Sequence, residues 1–417
     1  MTIRVIFIVT SFWSLGELLI AQQFAQSIQE QGDEVLFIIP PTHKEKLEAT
    51  EIKHICLVPK SRKLNRIIFN EVNDKFKPNL VILSDFLNYN FADTHYGLFR
   101  EDLELFKCKL ATFDNFDWNV RRKHMDTYGF ISDIPRKVNI EDYGARIIPC
   151  PIANPLIKND GEEYRYYIVK DRTQFSDKER DQLREKHQIN VNTNKKVILV
   201  SAAKWQKTHA KHVNIDSFIE LSNHIFNDLL IRLAKEHLII LIGSTESKFL
   251  DIENIIQLES MPTKDFEEYI AISDLYIGKN ITSTSMIKIA FSGVPCVNII
   301  NSFTTTDNLP NKEDGFDYKM KLKKIHAYKY MMYPVGWYDF LSPVIKDNLY
   351  GEIIQFCEQF EMDQTINKIE SLLYTTEEKN VINKKVLKLE KVLNNLSEPY
   401  QIIRDIINKG DNDDKEF

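Results

Sequence analysis

Apolar residues along the chain follow two alternating periods. Arg4–Val9 is a short continuous apolar run, the pattern of a strand buried on both faces. Leu15–Gln31 then sets Leu18, Leu19, Ala21, Phe24, Ala25 and Ile28 at helical spacing, and Gly32 stops that helix. Glu34–Ile39 predicts a second strand, ending at Pro40-Pro41. Further strands are expected at His54–Val58, Asn79–Ser84, Lys109–Phe113 and Arg146–Pro149. Pro78 stands directly before one of them, and the restriction a proline places on its neighbour makes it a usual entrance to a parallel strand.

The same alternation starts again later. Strands are expected at Lys196–Ala202, Leu238–Gly243, Ile255–Leu258, Asp274–Gly278 and Pro295–Ile300. Helices are expected at Phe218–Glu236, Thr263–Ile272 and Ser283–Phe291. Short apolar strands separated by amphipathic helices require crossover connections, hence parallel sheets. The expected fold is α/β, with two Rossmann-like, doubly wound domains facing a central cleft. Residues 1–155 form the first domain and 196–345 the second. The polar, charged stretch 156–195, with one helical piece around Asp177–His187, reads as a linker. Residues 346–417 read as helices that cross back, with a frayed end over Gly410–Phe417.

Composition narrows the function. The 417 residues include 54 basic and 60 acidic side chains, for a formal net charge of −6. Such a balance gives no global positive field to collect nucleic acid or an anionic membrane. The five cysteines are scattered, form no C-x-x-C pair and lie in or beside apolar stretches. They read as buried reduced thiols of a cytoplasmic protein, and a zinc site is not expected. No apolar run is long enough to span a bilayer, and the start of the chain reads as a strand.

In doubly wound sheets, ligands bind at the carboxyl ends of the strands, so the loops there carry the candidate chemistry. After the first strand, a small-residue turn leads to Gly16 and Glu17 at a helix start. Glu17 either complements the helix dipole or acts as a general base on an acceptor hydroxyl. Asp85 and Asp114 follow two other strands among aromatic residues, where a carboxylate can hydrogen-bond sugar-like hydroxyls or can simply cap a loop. In the second half, Gly243 ends one strand. The loop holding Lys204, Trp205, Lys207, His209, Lys211 and His212 is either a solvated basic loop or a seat for pyrophosphate. Thr282, Ser283, Thr284 and Ser285 open a helix with a run of hydroxyls and free N–H groups, a plausible diphosphate seat; a simple N-cap explains one of the four. The aromatic stretch Tyr328–Pro343 reads first as packing where the tail crosses back, and otherwise as a lining of the cleft with Asp339 facing sugar hydroxyls.

The order Ser273-Asp274-Leu275-x-Ile277-Gly278, followed by Ser285-x-x-x-Ile289-Ala290-x-x-Gly293-Val294-Pro295, resembles the donor half of GT-B glycosyltransferases. The likeness is to the inverting enzymes that glycosylate natural products and lipid-linked peptidoglycan precursors. Gly16-Glu17, Ala21, Ala25 and Gly32-Asp33-Glu34-Val35 look like the acceptor half, and Ile148-Pro149-Cys150-Pro151 like the end of its first domain. The departures are specific. Glu17 stands where the family has His, Ile281-Thr282-Ser283 replaces a glycine-rich turn, and Lys288 stands where an acidic residue grips the donor ribose. Lysine cannot accept hydrogen bonds from ribose, but it can pair with phosphate.

The resemblance implies an inverting glycosyltransferase of a biosynthetic route. Its co-substrate would be a UDP- or dTDP-linked sugar, with no further cofactor and no metal. The acceptor would be a small-molecule, lipid or natural-product hydroxyl or amine. Glu17, Asp85 or Asp114 would be the base, and Gly16, Lys204, Trp205, Gly243, Thr282, Ser283, Thr284, Ser285 and Lys288 would bind the donor. Two alternatives stay open: a nucleotide-sugar 2-epimerase or hydrolase of the same fold, and a non-catalytic GT-B-like binding or partner protein.

Overall fold

The computed structural model describes residues 2–12, 15–48, 50, 52–115, 117, 139–157, 162–169, 175–189, 195–201, 216–243, 249–301 and 337–409. These fall into two compact units. Described residues up to 168, together with 392–409, form the first, and those in 169–391 form the second.

The first unit is built on a seven-stranded sheet. Its strands are β1 (Arg4–Ile8), β2 (Glu34–Ile39), β3 (His54–Cys56), β4 (Leu80–Leu83), β5 (Lys109–Phe113), β6 (Ala145–Cys150) and β7 (Glu163–Tyr167). They lie in the order β3-β2-β1-β4-β5-β6-β7, and every pairing is parallel. Chain order reverses direction between β1 and β4, which makes that gap the topological switch point. Alternate residues of one strand face opposite layers. Ile6 and Ile8 join an aliphatic core with Leu36, Ile38, Val81 and Leu83. Phe7 stacks on Phe37 at 4.9 Å between ring centroids, and Phe24 meets Phe113 and Tyr166 edge-on. Gly144, just before β6, has a φ of +78°, and a Cβ there would lie 2.1 Å from the Leu110 carbonyl oxygen. Only glycine permits that approach.

The second unit carries six parallel strands, β8 (Val197–Ser201), β9 (Leu238–Ile242), β10 (Ile255–Leu258), β11 (Leu275–Gly278), β12 (Cys296–Ile300) and β13 (Gln355–Glu358). Their order is β10-β9-β8-β11-β12-β13, so its switch point lies between β8 and β11. The two parallel sheets with flanking helices are the fold the periodicity predicts.

Two strands arise where none is expected from the sequence. β7 lies inside the stretch 156–195 read as a linker, and it completes the first sheet. Its sequence, Glu-Tyr-Arg-Tyr-Tyr, hides it, because the charged positions are buried in ion pairs rather than in solvent. Arg165 meets Asp117 at 2.8 Å, with both side chains 1% exposed, and Glu163 pairs with Arg146. β13 interrupts the tail read as helical; its four residues pair with β12 at the sheet edge. The last helix, Pro399–Asn408, belongs to the first unit. It packs on the Gly16–Gln29 helix and buries Ile402, Ile403 and Ile406. Lys109 Nζ donates to the Ile406 and Ile407 carbonyls at 3.0 and 2.7 Å, meeting acceptors that a helix end leaves free.

All five cysteines are free; Cys150, Cys296 and Cys357 are buried, whereas Cys56 and Cys108 are half-buried. Among the described residues, no helix is long and apolar enough to cross a membrane.

Candidate active site

The switch point of the first sheet gathers polar groups. β1 runs into Thr10 and Ser11, both buried, and the Gly16–Gln29 helix then begins, with Glu17 in its first turn. β4 runs into Ser84 and Asp85, and Asp85 caps the one-turn helix Phe86–Tyr89. Its carboxylate accepts from the N–H groups of Leu87 at 2.7 Å and Asn88 at 3.2 Å. That turn puts Asn88 beside Glu17. Asn88 Nδ2 donates to Glu17 Oε1 at 3.2 Å, and the Ser11 hydroxyl donates to Glu17 Oε2 at 3.4 Å. The Asn115 side chain, from the end of β5, also bonds Asp85.

Electrostatics distinguish the two carboxyl groups. Burial, reinforced by the Glu17 charge, pushes Asp85 up to about 7, against the downward pull of the Asn88, Leu87 and Asn115 hydrogen bonds. Asp85 is thus divided between its acid and its carboxylate near neutrality. Glu17 is half-buried, and each of its oxygens has a donor. Asp114 is 0% exposed, and its N–H bonds the Ile147 carbonyl of β6. Of the three expected carboxylates, Glu17 and Asp85 interact electrostatically, and Glu17 is the more exposed, Asp85 and Asp114 being buried. Among the described residues, three buried polar atoms around them have no hydrogen-bond partner: the Ser84 hydroxyl, Asn88 Oδ1 and Asn115 Oδ1. Buried polar atoms are nearly always paired, so these leave hydrogen-bonding capacity unused beside the two carboxyls.

In the second unit, the switch point holds hydroxyls. Ser201, the last residue of β8, shares a 2.6 Å hydrogen bond with the Tyr276 hydroxyl from β11. Tyr276 also bonds Ser283, and burial holds its phenol up at about 12, so it stays neutral. Ser283 is the N-cap of the Thr284–Phe291 helix and accepts from the Met286 N–H at 3.2 Å. Thr282 is turned toward Asn280, whose Oδ1 accepts from its hydroxyl at 3.0 Å. Thr284 and Ser285 are half-buried in the first turn, where N–H groups have no intrahelical acceptor. An anion is favoured at such an end.

Lys288 sits one turn further along the helix and is ion-paired with Glu267. Gly243 serves the strand exit: its φ is +81°, and its N–H is taken by the Leu258 carbonyl at 2.9 Å. Gly16 is exposed at the start of its helix. Lys204, Trp205 and the rest of the basic loop lie outside the described residues, as do residues 328–336 of the aromatic stretch. Asn88 and Asn115 join the site without having been singled out by sequence. The one signal for Asn88 is its place three residues after a capping Asp, which returns it to the same side of a helical turn.

A family model described as a family of unknown function, DUF6365, matches residues 24–410. The chain belongs to the DUF6365 family. No curated protein sequence matches this DUF6365 protein. Its fold has many solved counterparts. The spinosyn forosaminyltransferase SpnP is 11% identical, with a TM-score of 0.58 over 96% of this chain and 97% of its own. Anabaena Alr3699/HepE, solved with UDP-glucose, is 12% identical, with a TM-score of 0.57 over 98% of this chain and 99% of its own. Arabidopsis thaliana UGT89C1, solved with UDP-L-rhamnose and with quercetin, is 10% identical, with a TM-score of 0.56 and the same coverage. The DUF6365 chain therefore has the GT-B fold, as its two motif segments implied.

Proposed function

We propose that this protein is an inverting glycosyltransferase that moves a sugar from a UDP- or dTDP-linked donor to a small-molecule or lipid-like acceptor. Glu17 takes the proton of the acceptor hydroxyl as its oxygen attacks the anomeric carbon. The bond from that carbon to the diphosphate oxygen breaks, and its electron pair leaves with the nucleoside diphosphate. The start of the Thr284–Phe291 helix, with Ser283–Ser285, receives the departing charge. Helix N–H groups and lysines suffice for this, without a metal ion. Ser11 and Asn88 fix the direction of the Glu17 carboxylate, and Asp85 lies beside it as a second carboxyl group.

One observation carries the reading. A carboxylate oriented by two donors stands against a buried carboxyl group poised near neutral pH, at the switch point of a sheet in a GT-B fold. Sites that shift a carboxyl so far are enriched in function. The experiment is calorimetric titration with UDP, dTDP and UDP-glucose, followed by mass spectrometry of donor–acceptor incubations. Nucleotide binding together with acceptor-dependent nucleoside diphosphate release is expected. Release without an acceptor would instead indicate epimerase or hydrolase chemistry.

Lys288 offers no acceptor to ribose hydroxyls, and its ion pair with Glu267 occupies the charge that could otherwise meet phosphate, which favours a second reading, a non-catalytic binding protein. Nucleotide binding without turnover of any offered donor is its signature.

A further inference from the structure

The second unit holds a cavity of about 420 Å³. It lies at the closing end of the Thr284–Phe291 helix, where Phe291, Ser292 and Gly293 contribute to its wall. The remaining wall comes from Phe175 and from three helices, Asp177–Lys186, Thr263–Ile272 and Thr376–Leu393. The volume falls in the usual range for small-molecule sites, about 300–1,000 Å³. Neither the Glu17–Asp85 pair nor Ser283–Ser285 borders it.

Its charged groups are unevenly satisfied. Lys288 is ion-paired with Glu267, and Glu390 has an interaction of its own. Among the described residues, Arg180 makes one hydrogen bond, a long one of 3.5 Å from Nη2 to the Ser292 carbonyl. Its Nε is shut away from solvent with no acceptor at all. Among the described residues, Arg180 is thus the one cation of this wall with no carboxylate. Nε faces neither solvent nor the cavity, so an anion in the cavity would meet the outer Nη edge of a guanidinium that no described carboxylate neutralises. The apolar part of the wall is equally incomplete. Leu387 lines the cavity yet remains 65% exposed, beside the buried Val386 and Phe291. An occupant with an anionic head and an apolar body would answer both defects together.

We infer that this cavity is a second ligand site, for a small amphipathic carboxylate whose head bonds Arg180 and whose chain covers Leu387. The inference goes beyond the transferase reading and does not depend on it, since Glu17, Asp85 and Ser283–Ser285 lie outside the cavity; of the expected donor residues, Lys288 alone borders it, and its charge is taken by Glu267.

The test is calorimetric titration of the full chain with hexanoate, octanoate and decanoate, with octanamide as the neutral counterpart of octanoate. Saturable octanoate binding is expected, weakened at least tenfold by Arg180→Gln and by exchange of octanoate for octanamide. Leu387→Asp, at an exposed position, should weaken octanoate as well while leaving the thermal midpoint within a few degrees of wild type. Arg180→Lys keeps the charge and serves as the folding control, retaining most of the affinity. Equal affinity for octanoate and octanamide, unchanged octanoate binding in Arg180→Gln, or no saturable binding of any of the three carboxylates would overturn the assignment. Nucleotide titration of the same Arg180→Gln protein separates the two ideas, because it should bind UDP or dTDP as wild type does.

Discussion

Replacing Asp85 with Asn tests the electrostatics of the first site without needing a substrate. Asn keeps the N-cap, being about as good a capping residue as Asp, but it cannot ionise. In the folded protein, burial and Glu17 raise the Asp85 carboxyl from 3.8 to about 7. The folded state therefore binds more protons than the unfolded chain between those values. By linkage, the group's favourable contribution is complete below the unfolded value and is lost as pH rises to about 7. About two pH units lie between pH 5 and that point. At 1.36 kcal/mol for each unit, wild type should lose about 3 kcal/mol there that Asp85→Asn keeps. For a unit of this size, about 2–4 °C of melting temperature accompany each kcal/mol, giving about 6–12 °C. The assay is scanning calorimetry of both proteins at pH 5 and pH 8.5. Asp85→Asn should melt higher than wild type at pH 8.5, by a margin that shrinks at pH 5. Parallel pH profiles would refute the claim that the native fold holds Asp85 at an unfavourable charge.

Further outcomes follow from the same geometry. Glu17→Gln should lower kcat by about 10²–10⁴-fold while leaving nucleotide binding by calorimetry unchanged. Ser283→Ala removes the acceptor of the Met286 N–H and should cost about 1 kcal/mol in thermal melts, with weaker binding of UDP or dTDP. Asp117→Ala leaves Arg165 buried without its 2.8 Å partner and should destabilise the first unit by about 3–5 kcal/mol, read as a lowered calorimetric transition. Gly144→Ala forces a side chain onto the Leu110 carbonyl at a φ of +78°, and should cost well over about 1 kcal/mol in the same scan.

Much of the fold is legible in the amino-acid sequence. Both sheets and the chain order of eleven strands follow from apolar runs punctuated by Gly and Pro, since a parallel strand buried on both faces has little choice but Val, Ile and Leu. Glu17 and Asp85 follow from one rule, that carboxyl ends of strands hold the chemistry. β7 escapes because Glu163 and Arg165 satisfy each other and Asp117 inside the protein, a pairing that involves residues 48 positions apart in sequence. β13 escapes because four residues at a sheet edge carry too little pattern. Lys288 has a place in a motif, whereas its partner Glu267 lies 21 residues earlier on another helix. Local spacing predicts which element a residue occupies; it does not predict which distant charge will neutralise it.

Glu17 as the base is the centre of the transferase reading. Acceptor-dependent release of nucleoside diphosphate from the sugar donor that binds, followed against pH in wild type and Glu17→Gln, measures that role. The variant should bind the donor but lose nearly all turnover at every pH where wild type is active. A variant that releases the diphosphate at the wild-type rate would contradict the assignment of Glu17.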